Sequence, residues 1–71
     1  MSSWADLIAS ERAAYQGAPL SQLRAVRLAL SLHSWGNSPR ERARLEAVEA
    51  LIHDRLRARR AAKRTAQGAR S

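Results

Sequence analysis

Six acids could do chemistry in this chain: Asp6, Glu11, Glu41, Glu46, Glu49 and Asp54. Glu46 and Glu49 stand three apart, a spacing that puts two carboxylates on one helix face, where a shared proton would make an acid–base dyad. No histidine or cysteine is placed to use such a dyad, so the pair reads as a solvated helix face. His53 follows Glu49 by four residues, close enough for a weak helix-surface contact. His33 stands beside Trp35 at an expected helix end, where the macrodipole favours a cation. With no cysteine, a metal site would have to draw converging ligands from two histidines and scattered carboxylates. Neither a glycine-rich phosphate loop nor a Ser–His–acid spacing occurs. No catalytic residue, metal or cofactor is therefore expected, and the chain reads as a non-enzyme.

The remaining residues with functional chemistry are cations. Residues 55–71 contain Arg55, Arg57, Arg59, Arg60, Lys63, Arg64 and Arg70 and no acid, which accounts for the whole formal net charge of +7. Residues 1–54 are balanced. Such a block repels itself, stays solvated and can act as an arm for polyanions. Arg55, Arg57, Arg59, Arg60, Lys63 and Arg64 are the candidate polyanion contacts, along the phosphates of DNA or RNA. No aromatic residue interleaves them, so base stacking is not supported. Arg40, Arg42 and Arg44 form a smaller cluster that opposes the macrodipole at a helix N-terminus.

Three helices position these residues, giving an all-α fold. Ser3-Trp4-Ala5-Asp6 fits a capping box, and a first helix is expected over about 4–16, with Trp4, Leu7, Ile8 and Tyr15 on one side. Gly17 should stop it with a positive φ. Pro19 fits only a first turn, opening a second helix over about 20–35. On that helix Arg24, Arg27, Ser31 and Ser34 form a polar stripe. Leu23, Val26 and Leu30 line one flank, and Ala25, Leu28, Ala29, Leu32 and Trp35 the other. So apolar a helix should be buried against two surfaces, either both other helices or a second subunit, and substituting Leu28 by Glu should break the dimer or the fold. Gly36 and Asn37 turn the chain. Ser38-Pro39-Arg40-Glu41 starts a third helix over about 39–62, whose stripe is Leu45, Val48, Leu51, Ile52 and Leu56. The short connection implies an antiparallel hairpin of helices 2 and 3. The domain boundaries expected are 1–56 for the helical body and 57–71 for a basic helical extension ending in a mobile tail from about residue 67.

A DNA-reading helix-turn-helix fails at its tightest positions. The residue after the turn glycine and the one five further on should be apolar to lock the two helices; here they are Asn37 and Arg42. No stretch approaches the roughly 20 apolar residues of a membrane span. The N-terminus lacks a basic export region, and with no cysteine this points to the cytoplasm. Seventy-one residues with no phenylalanine make a thin core, which favours a protein partner and a homodimer through helix 2. The candidate protein-interface residues are Trp4, Leu28, Leu32 and Trp35. The function expected is that of a small regulator or adaptor binding another protein through its helical faces, an architecture shared with small phage-type inhibitors of cellular factors. The alternative is sequence-tolerant nucleic-acid binding through the arginine-rich end.

Overall fold

The Ser3 hydroxyl accepts a hydrogen bond from the Asp6 amide at 3.1 Å, and the Asp6 carboxylate accepts one from the Ser3 amide at 3.3 Å. This closed capping box starts α1 (Trp4–Tyr15) in the computed structural model, which describes residues 3–32 and 34–69. A second box starts α3 (Pro39–Ala69): Ser38 Oγ accepts from the Glu41 amide at 3.2 Å, and Glu41 Oε1 accepts from the Ser38 amide at 3.1 Å. Between them run α2 (Leu20–Leu32) and a 3₁₀ turn over Ser34–Gly36. The fold is all-α, with three helices and no strand among the described residues.

Several boundaries differ from those the sequence suggests. Gly17 does not adopt a positive φ, nor does Gly36. Helix α1 stops instead because Pro19 has no N–H to continue the ladder and its ring crowds the carbonyl four residues back. The Tyr15 carbonyl takes the Ala18 amide at 3.0 Å, and the Gln16 carbonyl accepts from Arg55 Nη2 at 2.7 Å. Helix α2 ends at Leu32 rather than Trp35. Asn37 Nδ2 donates to the Leu30 carbonyl at 2.8 Å, satisfying one of the last acceptors that would otherwise extend the helix. Helix α3 continues to Ala69, beyond the expected end near 62 and through the start of the expected mobile tail. Its alanines and arginines are strong helix formers throughout that stretch.

Helix α3 is the spine against which both α1 and α2 pack. The core is small: Leu23 and Leu30 come from α2, and Ala43, Ala47, Val48, Leu51 and Ile52 from α3. Tyr15, Ala18, Leu20, Val26 and Leu56 pack around it, half-buried. Helix α1 docks on α3 by a different chemistry. Its buried residue is Glu11, 5% exposed, whose Oε2 meets Arg44 Nε at 3.1 Å and whose Oε1 meets Arg40 Nε at 3.3 Å. The Arg44 guanidinium also lies 5.9 Å from the centre of the Tyr15 ring, within cation–π range. Arg12 pairs with Asp54 at 3.0 Å on the surface. The arginines that oppose the dipole at the start of α3 thus have a structural partner: two of the three neutralise a carboxylate from α1.

The chain is extended for its size. Its radius of gyration is 15.0 Å, where about 11 Å is usual for a compact domain of this length. Its accessible surface is 5468 Å², against roughly 4,400 Å² for a folded monomer of this mass. Two features carry the surplus: the end of α3 past Leu56, and the outward flank of α2.

Candidate functional site

Helix α2 has one flank in the core and one in solvent. Leu23 is fully buried, Leu30 nearly so and Val26 half-buried, all toward α3. Ala25, Leu28, Ala29 and Leu32 occupy a stripe about 100° wide on the other side, and all four are exposed. Leu28 is 63% exposed and Leu32 65%, and Trp35, in the turn that follows, is 82% exposed. Of the two coverings expected for α2, the one by both other helices is therefore corrected. Helix α3 covers one flank, and α1 spends its contacts on α3 instead of closing over the second. The expectation that Glu at position 28 breaks the monomer's fold goes with it, because Leu28 is not in the core.

One border of this stripe is cationic. Arg24 and Arg27, with Leu28 and Ser31, line a shallow concavity of about 370 Å³. The Ser31 hydroxyl donates to the Arg27 carbonyl of its own helix at 2.7 Å, leaving the polar edge of the concavity to the two guanidinium groups. Neither has an ion-pair partner among the described residues. Trp4, the fourth candidate interface residue, is 45% exposed but belongs to the first turn of α1. Leu28, Leu32 and Trp35 thus share a continuous stretch of chain, and Trp4 sits on another element.

The candidate polyanion contacts divide. Arg55 is half-buried and holds the end of α1 through the Gln16 carbonyl, so it is structural rather than a free contact. Arg57 Nη2 lies 3.4 Å from His53 Nδ1. Arg59, Arg60, Lys63 and Arg64 are exposed and have no ion-pair partner among the described residues. At about 100° per residue the five cations from Arg57 to Arg64 fall on one half of the helix, and Ala58, Ala61, Ala62 and Thr65 on the other. Leu56 itself lies on the cation half, three and four residues before Arg59 and Arg60, so the line of the core-facing stripe runs into charge past Leu56.

Glu11 and Asp54 are the two acids to which the sequence assigns no role; Asp54 pairs with Arg12 on the surface, and Glu11 is buried. Burial pushes the Glu11 carboxyl upward, but the Arg44 hydrogen bond and charge, then those of Arg40, outweigh it and hold it below the usual carboxylate range. The available signal was the arginine cluster at 40–44, which opposes the macrodipole of a helix N-terminus and is eased by a nearby carboxylate. Glu41 is also held low, by the Ser38 amide and hydroxyl of the capping box. No group of three or more metal-capable side chains comes together among the described residues. None of the described helices is long and apolar enough to cross a membrane. His33 lies outside the described residues.

No protein-family model, curated protein or solved structure matches this chain. The fold and site define a small all-α protein with an uncovered apolar helix flank and a two-faced basic helix end.

Proposed function

We propose that this chain is a small non-enzymatic regulator or adaptor that binds another protein through the outward flank of α2. The observation that carries this reading is the exposure of Leu28 and Leu32 along one side of a helix whose other side builds the core, with Trp35 exposed in the turn that follows. Covering a leucine of this kind contributes about 1.5–3 kcal/mol, and clustered apolar exposure on a small protein marks an interaction surface more often than an isolated leucine does. Tryptophan is also the side chain most often found as an interface anchor. A partner whose own active surface is covered in this way would be inhibited.

The test is affinity capture from lysate treated with nuclease, using the wild-type chain, Leu28→Glu/Leu32→Glu and a chain lacking residues 57–71. A protein should be retained by the wild type and by the truncated chain, and lost with the double substitution. Recovery of nucleic acid alone, lost with salt, contradicts the reading.

A second reading has its own observation. Four exposed cations with no ion-pair partner among the described residues, on one half of the end of α3, suit the phosphates of DNA or RNA. Truncation of residues 57–71 should then abolish retention on duplex DNA, while the α2 substitutions leave it intact.

A further inference from the structure

The geometry points to the occupant of the α2 flank: an amphipathic helix of another protein whose polar border is acidic. This rests on the protein-binding reading above and specifies its partner. Helix α2 contains no acid, and its only charges, Arg24 and Arg27, stand on one border of the apolar stripe. Most cations of the helical body are answered where they stand: Arg40 and Arg44 by Glu11, Arg12 by Asp54, and Arg55 by the Gln16 carbonyl. Arg24, Arg27 and Arg42 have no ion pair among the described residues, and of these only Arg24 and Arg27 border the apolar stripe. They flank the concavity beside Leu28, whose described lining contains no acid. A partner helix laid along the stripe brings apolar side chains to Leu28 and Leu32. Carboxylates three or four residues apart on its border then match two arginines that are themselves three apart, an arrangement that favours bidentate pairing.

A second copy fits this surface less well. When two α2 helices pair antiparallel about a two-fold axis, each border faces the same border of its partner, so Arg24 and Arg27 meet their own copies. Parallel pairing sets them against the opposite border, where the neutral Gln22 stands, and supplies no counter-charge from α2. Nucleic acid answers the arginines but offers nothing to the leucine stripe. The charge pattern therefore selects an acidic protein helix.

The experiment uses the full chain carrying Trp4→Phe, so that indole emission comes from Trp35. Two tryptophan-free synthetic peptides of about 20 residues share one leucine face and differ only in a Glu or a Lys border. The Glu peptide should shift Trp35 emission to the blue and saturate. The Lys peptide should bind about tenfold more weakly, the worth of two solvent-exposed ion pairs. Arg24→Glu/Arg27→Glu should reverse that order, and Arg24→Gln/Arg27→Gln should erase it; both sites are exposed, so unchanged helical circular dichroism is expected. Equal affinity for the two peptides overturns the acidic partner and leaves the docking reading standing. So does a preference for Glu that survives the reversal, which places the peptide on the basic end of α3. A blue shift that grows with protein concentration in the absence of peptide assigns the flank to a second copy. Stronger shifts with duplex DNA than with the Glu peptide assign it to nucleic acid. No shift with either peptide overturns the docking reading itself.

Discussion

Replacing Glu11 by Gln keeps the shape of the α1–α3 contact and removes its charge. The carboxylate is 6% exposed and meets Arg44 at 3.1 Å and Arg40 at 3.3 Å. A charge-assisted hydrogen bond contributes about 1.5–3 kcal/mol when shielded. Arg44 is one-third exposed and Arg40 two-thirds, so the first contact belongs at the low end of that range and the second near a surface pair, about 0.5 kcal/mol. The sum is about 2 kcal/mol, or about 10 °C in Tm for a domain of this size. The pH dependence fixes the cause. Glu11 has a folded pKa below its ordinary value of 4.5, so its contribution is complete above that value and is lost as pH falls through the folded pKa. The wild type should therefore melt about 10 °C above Glu11→Gln at pH 7, and the gap should close toward pH 3. Thermal melts followed by circular dichroism across that range read it directly. A gap independent of pH, or no gap, would refute a charged Glu11 as the joint between α1 and α3.

Further outcomes follow from the same packing. Leu23→Ala, at a fully buried site, should cost about 2–4 kcal/mol, whereas Leu28→Glu should move stability by no more than about 0.5 kcal/mol; urea titrations of both variants check the assignment of the two flanks. Gly17→Ala should stabilise by about 0.4–1 kcal/mol, because a methyl group there meets nothing within 4 Å and φ is not positive; a loss of stability would mean that the turn needs the glycine. If the end of α3 holds DNA through Arg59, Arg60, Lys63 and Arg64, log affinity should fall with log salt at a slope of about −4, and deletion of residues 57–71 should flatten it.

Local signals were the legible ones. Both capping boxes follow from Ser3–Asp6 and Ser38–Glu41 because each is complete within four residues. The apolar stripe of α3 was visible through Val48, Leu51 and Ile52. What the sequence hid was which helix lies at the centre. Helix α2 has the stronger apolar signature, yet α3 packs against both neighbours, partly through Ala43 and Ala47, which are fully buried. Alanine registers weakly on any apolar scale because it buries little area, but its small size lets another helix approach closely. The Glu11 joint was hidden because its partners are 29 and 33 residues away, beyond any helical periodicity. For the candidate site, the wheel separated the two flanks of α2 correctly, but it could not tell which flank stays uncovered. That depends on α1 docking elsewhere, and α1 docks by charge. The same limit applied to Arg55, which reads as one of a charged run until the carbonyl of Gln16 is brought to it.

The claim that the outward flank of α2 is a docking surface is tested most directly by methyl NMR of the full chain, free and with saturating Glu-bordered peptide. The leucine methyl resonances of Leu28 and Leu32 should shift strongly, while those of Leu23, Val48 and Leu51 in the core stay in place. Shifts absent from Leu28 and Leu32 and confined to residues beyond Leu56 would contradict it.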